Sequence, residues 1–131
     1  MRHLLDTNTV SHLIRGNPRV LARLPTNLGD QVVISVVTEA ELLYGLEKHP
    51  EAIRLRRAVE EFLGQTAVLP WTSRSAAAYG RLRASLERIG RPLGTLDTLI
   101  AAQAIEHGLL LVTNDHAFGQ VPDLAVEDWT A

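Results

Sequence analysis

The sequence predicts an α/β fold with a central parallel sheet flanked by helices. Three observations carry that expectation. Short apolar runs alternate with helix-length segments along the chain, the order from which parallel sheets and their crossover helices are built. Val32-Val33-Ile34-Ser35-Val36 is almost continuously β-branched, as in a strand covered on both faces. Two strand-like runs near opposite ends of the chain stop at a carboxylate. Leu4-Leu5 runs into Asp6, and Leu109-Leu110-Leu111-Val112 runs into Thr113-Asn114-Asp115. The carboxyl ends of strands are where open α/β sheets bind ligands.

The elements follow in order. Residues 2–5 read as the first strand. Thr7 to Ile14 is a short helix stopped by Gly16, with Pro18 beyond it. Pro18 to about Leu24 makes a second short helix, ending near Pro25. After the Val32–Val36 strand, Thr38-Glu39-Ala40-Glu41 opens a helix carrying Leu42, Leu43 and Leu46. Glu51 to Leu63 is amphipathic, with Ile53, Leu55, Val59, Phe62 and Leu63 on one side. Ala67-Val68-Leu69 is a short strand, and Ser73 to Ile89 is a long helix broken by Gly90-Arg91-Pro92-Leu93-Gly94. Leu96 to His107 is a helix whose stretch Leu99 to Ile105 is apolar almost all round and so reads as buried, with Gly108 at the left-handed cap. Leu109 to Thr113 is the last core strand, and Leu124-Ala125-Val126 an edge strand. Residues 51–91 place two helices around one short strand, which suggests a small helical clip to one side.

Bulk properties narrow the function. A chain of 131 residues is expected to be one domain over 1–131. It is 46% apolar and 21% charged, enough for a core and unlike a disordered chain. No apolar run approaches a membrane span and no signal peptide opens the chain, so a soluble cytoplasmic protein is expected. The absence of cysteine excludes disulfides, thiolate metal sites and thiol catalysis. A net charge of −2 does not advertise a nucleic-acid binder. Twelve of the thirteen basic residues are arginine and only Lys48 is lysine. Arginine's planar fork suits phosphate, although a GC-rich genome explains the bias equally well.

The acids are the chemical signal, and each has a plainer reading. Asp6 precedes Thr7-Asn8-Thr9 and is placed to cap a helix. Thr38-x-x-Glu41 fits a capping box, with Glu41 reaching back to the helix start. Asp97 follows Thr95-Leu96 at a helix start, where the dipole favours an acid. Asp115 sits in an Asn-Asp turn pair. Against these readings, two strands that both end in an acid suggest that Asp6 and Asp115 meet, the strand before Glu41 ends on the edge where Asp6 emerges, and Asp97 opens a helix that reads as buried, where a solvated cap is out of place. Four carboxylates without cysteine, and without a histidine pair at ligand spacing, form a hard oxygen donor set suited to Mg²⁺ or Mn²⁺. Such a site supports phosphodiester hydrolysis by metal-activated water. His3, His12, His49, His107 and His116 are scattered and read as surface or packing residues, with His116 next to Asp115. Trp71, Trp129, Tyr44 and Tyr79 read as core or interface residues in preference to base-stacking platforms.

Leu4-Leu5-Asp6-Thr7-Asn8, Thr38-x-x-Glu41-Leu42-x-Tyr44-Gly45, Gly94-x-x-Asp97-x-x-Ile100-Ala101-Ala102 and Val112-Thr113-Asn114-Asp115 resemble the motifs of PIN-domain ribonucleases. The whole chain, including Gly90-Arg91-Pro92 and the Glu127-Asp128-Trp129 ending, is similar to VapC-type toxins of bacterial toxin–antitoxin systems. The resemblance implies a PIN-like three-layer fold and a Mg²⁺-dependent endoribonuclease. It implies that Asp6, Glu41, Asp97 and Asp115 form the catalytic and metal-binding set, with Asp6 and Asp97 the principal ligands. Thr7, Asn8, Thr113 and Asn114 are implied to support the site. It further implies a homodimer, and an antitoxin that inserts an arginine-bearing peptide into the acidic crevice. Arg74, Arg81, Arg83, Arg88 and Arg91, around the long helix and its exit, are candidates for RNA contacts, a solvated helix face being the plainer reading of each. Two other functions compete. A phosphotransfer or phosphatase domain would need a lysine at a later strand end, whereas Lys48 is expected on a helix. A non-catalytic PIN interaction module has no need to keep all four acids.

Overall fold

The computed structural model describes residues 2–25 and 31–131. Its strands are β1 (His3–Leu5), β2 (Val32–Ser35), β3 (Ala67–Leu69), β4 (Leu110–Val112) and β5 (Val126–Glu127). They form one parallel sheet in the order β3-β2-β1-β4-β5. The chain therefore winds outward from β1 to β3, then crosses back to lay β4 on the other side of β1. The point of reversal lies between β1 and β4, and there Asp6 donates its N–H to the Val112 carbonyl at 3.1 Å.

Alternation along the strands sorts the core into two layers, because successive side chains leave opposite faces of a strand. Leu4, Val33 and Leu111 join Ala78, Leu82, Leu86, Ile100 and Phe118 on one face. Leu5, Val32, Ile34 and Val112 join Val10, Leu42, Val59, Phe62 and Trp129 on the other. The first layer is built by helices α5 (Ser73–Arg88) and α6 (Thr95–His107), together with a 3₁₀ turn at His116–Gln120. The second is built by α1 (Thr7–Ile14), α2 (Pro18–Arg23), α3 (Val36–Lys48) and α4 (Ile53–Gln65). Of the two helices read as a clip, α4 packs on α1 and α3, and α5 packs on α6.

Most boundaries fall within two residues of expectation, and the differences have local causes. The β2 strand stops at Ser35, whose hydroxyl accepts the Val37 N–H at 3.0 Å and so caps α3 one turn earlier than the Thr38 start read from the sequence. That cap overrides the strand preference of Val36 and Val37. The α4 helix starts at Ile53, without a side-chain cap, instead of at Glu51. The edge strand lies at Val126–Glu127, and not 124–126, because Leu111 and Thr113 donate to the carbonyls of Ala125 and Glu127. Helix α5 is held by a reciprocal box in which Thr72 and Ser75 cap each other's backbone N–H. The chain end is fastened to α2. Glu127 accepts from Arg23 at 2.6 Å and from the Trp129 indole at 2.7 Å, and Arg19 reaches the Thr130 carbonyl. Among the described residues no helix is long and apolar enough to cross a membrane.

Two glycines in this frame are expected to respond in opposite ways to alanine. Gly80 lies inside α5, where an added Cβ meets nothing within 4 Å, so Gly80→Ala should stabilise the fold by about 0.5–1 kcal/mol. Gly108 caps α6 at φ 63°, where a side chain is strained, so Gly108→Ala should cost about 1 kcal/mol or more. Urea unfolding midpoints of the two variants measure both, and shifts of equal sign would contradict the cap geometry.

Candidate active site

The four acids of the sequence pattern gather at the carboxyl edge of the sheet, near enough that Asp115, Asp6 and Glu41 all act on Asp97. Asp6 is 4% exposed and serves two ends at once. Its Oδ1 accepts the Thr9 N–H at 2.8 Å, the helix cap that was its plainer reading, while Oδ2 accepts the Thr113 hydroxyl at 2.5 Å. Capping and site membership thus coexist in one carboxylate, because each oxygen carries two acceptor positions. Thr113 in turn accepts the Asp115 N–H at 3.0 Å, so one hydroxyl joins the β1 end, the β4 end and the start of the next turn. Asp115 Oδ1 caps the 3₁₀ turn through the Ala117 N–H at 2.9 Å.

Glu41 departs from its expected local role. With the helix starting at Val36, Glu41 lies in the second turn and the Thr38–Glu41 capping box does not form. Its Oε1 instead accepts the Thr7 hydroxyl at 2.6 Å, and the Thr7 and Thr38 hydroxyls lie 3.1 Å apart. Thr7 has a single hydroxyl proton and gives it to the carboxylate, which ties α3 to the start of α1.

Asp97 sits in the first turn of α6, beside Gly94 and with no side chain capping the helix. Burial raises its carboxyl above the ordinary value of 3.8, and the charges of Asp115, Asp6 and Glu41 raise it further. All three of the other acids therefore act on this one group. Like charges held this close favour either a proton or a cation. Among the described residues no three His, Asp or Glu side chains converge tightly enough to hold an ion outright. An all-oxygen set of spread carboxylates still fits a hard divalent ion, which characteristically keeps several waters and takes only one or two carboxylates directly.

Two shallow spaces adjoin the acids. One, of about 200 Å³, is lined by Thr113, Asn114, Asp115, His116, Gly119 and Asp128 among others. The other, of about 180 Å³, leads from Thr7 and Glu41 over Leu42, Leu46, Leu55 and Val59 between α1, α3 and α4.

The candidate RNA-contacting arginines do not form one surface. The short turn between α5 and α6 leaves Arg88 and Arg91 at the same end of the helix pair as Asp97. Arg74 and Arg81 instead line a cavity of about 540 Å³ with Ile105 and Glu106, at the far end of α6. Arg83 is engaged by the Tyr79 hydroxyl at 2.9 Å and by Glu87 at 3.4 Å. Helical periodicity predicts which positions share a face, but not which end of the helix meets the acids. Of the aromatics, Trp129 is buried and Trp71 packs edge-on to Tyr79, whereas Tyr44 is exposed and covered by Lys48. Asn8 is exposed. His12, which the sequence reads as a surface or packing residue, sits between Asn17 and Asn114. A lone histidine in the last turn of α1 gives no sequence signal for a contact 102 residues away.

The PIN domain family model matches residues 3–124. The chain belongs to the PIN-domain family. This PIN domain is 38% identical over 132 residues to the tRNA(fMet)-specific endonuclease VapC of Shigella flexneri, with 99% of both chains covered. It is 36% identical over 131 residues to ribonuclease VapC2 of Haemophilus influenzae, with 98% of both covered. Among solved structures, DNA-bound VapBC from Salmonella typhimurium matches it with a TM-score of 0.90 at 36% identity, over 98% of each chain.

The charge state of Asp97 has a measurable consequence for this PIN domain. Its folded-state proton affinity is raised, so the folded form is favoured while the group is protonated, and that stability is lost as pH rises above the ordinary 3.8. Metal-free Asp97→Asn should therefore have a higher Tm than the parent at pH 7. The difference should shrink as pH falls below the carboxylate range, as calorimetry across pH would measure.

Proposed function

We propose that this PIN domain is the toxin of a toxin–antitoxin pair, a metal-dependent endoribonuclease working in the cytoplasm. The observation that carries the reading is the gathering of Asp6, Glu41, Asp97 and Asp115 at the switch point of a chain similar over its whole length to VapC ribonucleases. Asp6 and Asp97 would be the principal ligands of Mg²⁺, with Mn²⁺ a workable substitute, and Glu41 and Asp115 would complete the set. When bound, such an ion polarises a phosphoryl oxygen and makes a coordinated water more acidic.

The chain's own residues supply the geometry. Thr113 and the Thr9 N–H fix both oxygens of Asp6, and Thr7 fixes Oε1 of Glu41. Oε2 of Glu41 remains to orient a water or accept its proton. Asn114 lies beside Asp115 as a neutral group and Asn8 would add a second, while Arg88 and Arg91 stand at the end of α5 from which an RNA backbone can be drawn to the acids. A phosphotransfer reading lacks support, since Lys48 ends α3 with its ammonium over the Tyr44 ring and not at a strand end. The groove from Glu41 over Leu42, Leu46 and Leu55 suits an amphipathic antitoxin segment whose arginine reaches the carboxylates. The chain is read as one PIN domain that forms a homodimer.

The test uses purified, antitoxin-free protein and tRNA(fMet) as the RNA. Cleavage should require Mg²⁺, stop on chelation and return when the ion is restored. Asp6→Asn and Asp97→Asn should each slow it by at least about a hundredfold while retaining a folded circular dichroism spectrum. Parent-like rates from both variants would remove these acids from the site.

A further inference from the structure

The half-buried His12 ring touches a side-chain amide at each nitrogen. Nδ1 lies 3.3 Å from Asn17 Nδ2, and Nε2 lies 3.4 Å from Asn114 Nδ2. The arrangement cannot hold as it stands. Both amides turn a donor to the ring, but a neutral imidazole has one acceptor nitrogen and one N–H, and a charged one has no acceptor at all. One amide must turn its oxygen to the ring, which a half-rotation of the terminal group allows.

Asn17 is not free to do so. It caps α2, with Oδ1 accepting the Arg19 N–H at 2.9 Å and the Val20 N–H at 3.3 Å, so its NH₂ must face Nδ1. His12 Nδ1 is therefore the acceptor and Nε2 carries the hydrogen. Asn114 is the group that turns, accepting that hydrogen on Oδ1. Its NH₂ becomes the free end of a side chain that lines the cavity beside Asp115. The four carboxylates are all acceptors when ionised, the Thr7 and Thr113 hydroxyls already give their protons to two of them, and an incoming phosphodiester has only acceptor oxygens. A neutral N–H donor held in a fixed direction there is chemically distinct from anything the acids provide.

We propose that His12 is a positioning residue. As the Nε2–H tautomer, set by the α2 cap, it holds the Asn114 amide so that its NH₂ donates to a non-bridging phosphate oxygen of the bound RNA. The proposal rests on the ribonuclease reading for the identity of the ligand, but the tautomer itself does not.

Two measurements test it. In the unaltered full-length protein at neutral pH, the ¹⁵N ring shifts of His12 should show a bare Nδ1 and a protonated Nε2. A protonated Nδ1, or fast averaging between tautomers, would overturn the assignment. In single-turnover cleavage of tRNA(fMet), His12→Phe should lose about tenfold in rate, the usual scale for a residue that orients another. His12→Gln should recover most of that loss, because its amide oxygen and nitrogen stand in for the acceptor and donor of the ring. Asn114→Ala should lose at least as much as His12→Phe, and adding His12→Phe to Asn114→Ala should slow it no further. A parent-like rate for His12→Phe, or additive losses in the double variant, would overturn the proposal. Because the shifts are read on unaltered protein, a misfolded variant cannot shield the proposal. Failure of the parent protein to cleave RNA would overturn the ribonuclease reading and the phosphate-facing role with it, while the ring shifts would still decide the tautomer.

Discussion

Mutual repulsion among carboxylates is the constraint to which the rest of this structure answers. Four acids at one sheet edge push one another apart, and the elements that carry them are fastened by neutral hydroxyl and amide groups. Thr113 holds Asp6 to the end of β4, Thr7 holds Glu41 to α1, and backbone N–H groups take one oxygen each of Asp6 and Asp115. Asp97 has no such fastening among the described residues, and its proton affinity is raised by burial first and by the charges of the other three acids after it. The cost is acceptable only because the three central strands beneath are covered on both faces. Leu4, Leu5, Val32, Val33, Ile34, Leu111 and Val112 are all inaccessible to solvent, and burial of that kind contributes about 1.5–3 kcal/mol per large side chain.

Much of this arrangement is legible in the sequence. The β-branched run at 32–35 and the leucine runs ending at Asp6 and Thr113 declare buried parallel strands. The stretch 99–105, apolar almost all round, declares a buried helix, and Thr98 and Ile100 to Ala104 are indeed buried. What the sequence obscured lies where two local signals compete. Ser35 outbids Thr38 for the helix start, which frees Glu41 from the capping box and turns it to Thr7. Nothing in the spacing Thr38-x-x-Glu41 reveals that, because the competitor sits three residues upstream inside what looks like a strand.

Long-range partnership is the other blind spot. Arg74 and Arg88 look equivalent on a helical wheel, yet they stand at opposite ends of α5, and only the Arg88 end meets the start of α6. His12 carries no signal in its neighbours, and its significance comes from Asn17 on one side and Asn114 on the other. The proton on its ring is in effect dictated by the cap of a six-residue helix, so a local folding rule extends into the chemistry of the site.

The switch point between β1 and β4 also bears on the order in which the protein is made. The hydroxyl that fixes Asp6 comes from a residue 107 positions later, and the strand carrying it must be inserted against β1 after everything between has been synthesised. Chains emerge and fold from the amino end, so a growing polypeptide exposes Asp6 and Glu41 long before Thr113 and Asp115 exist.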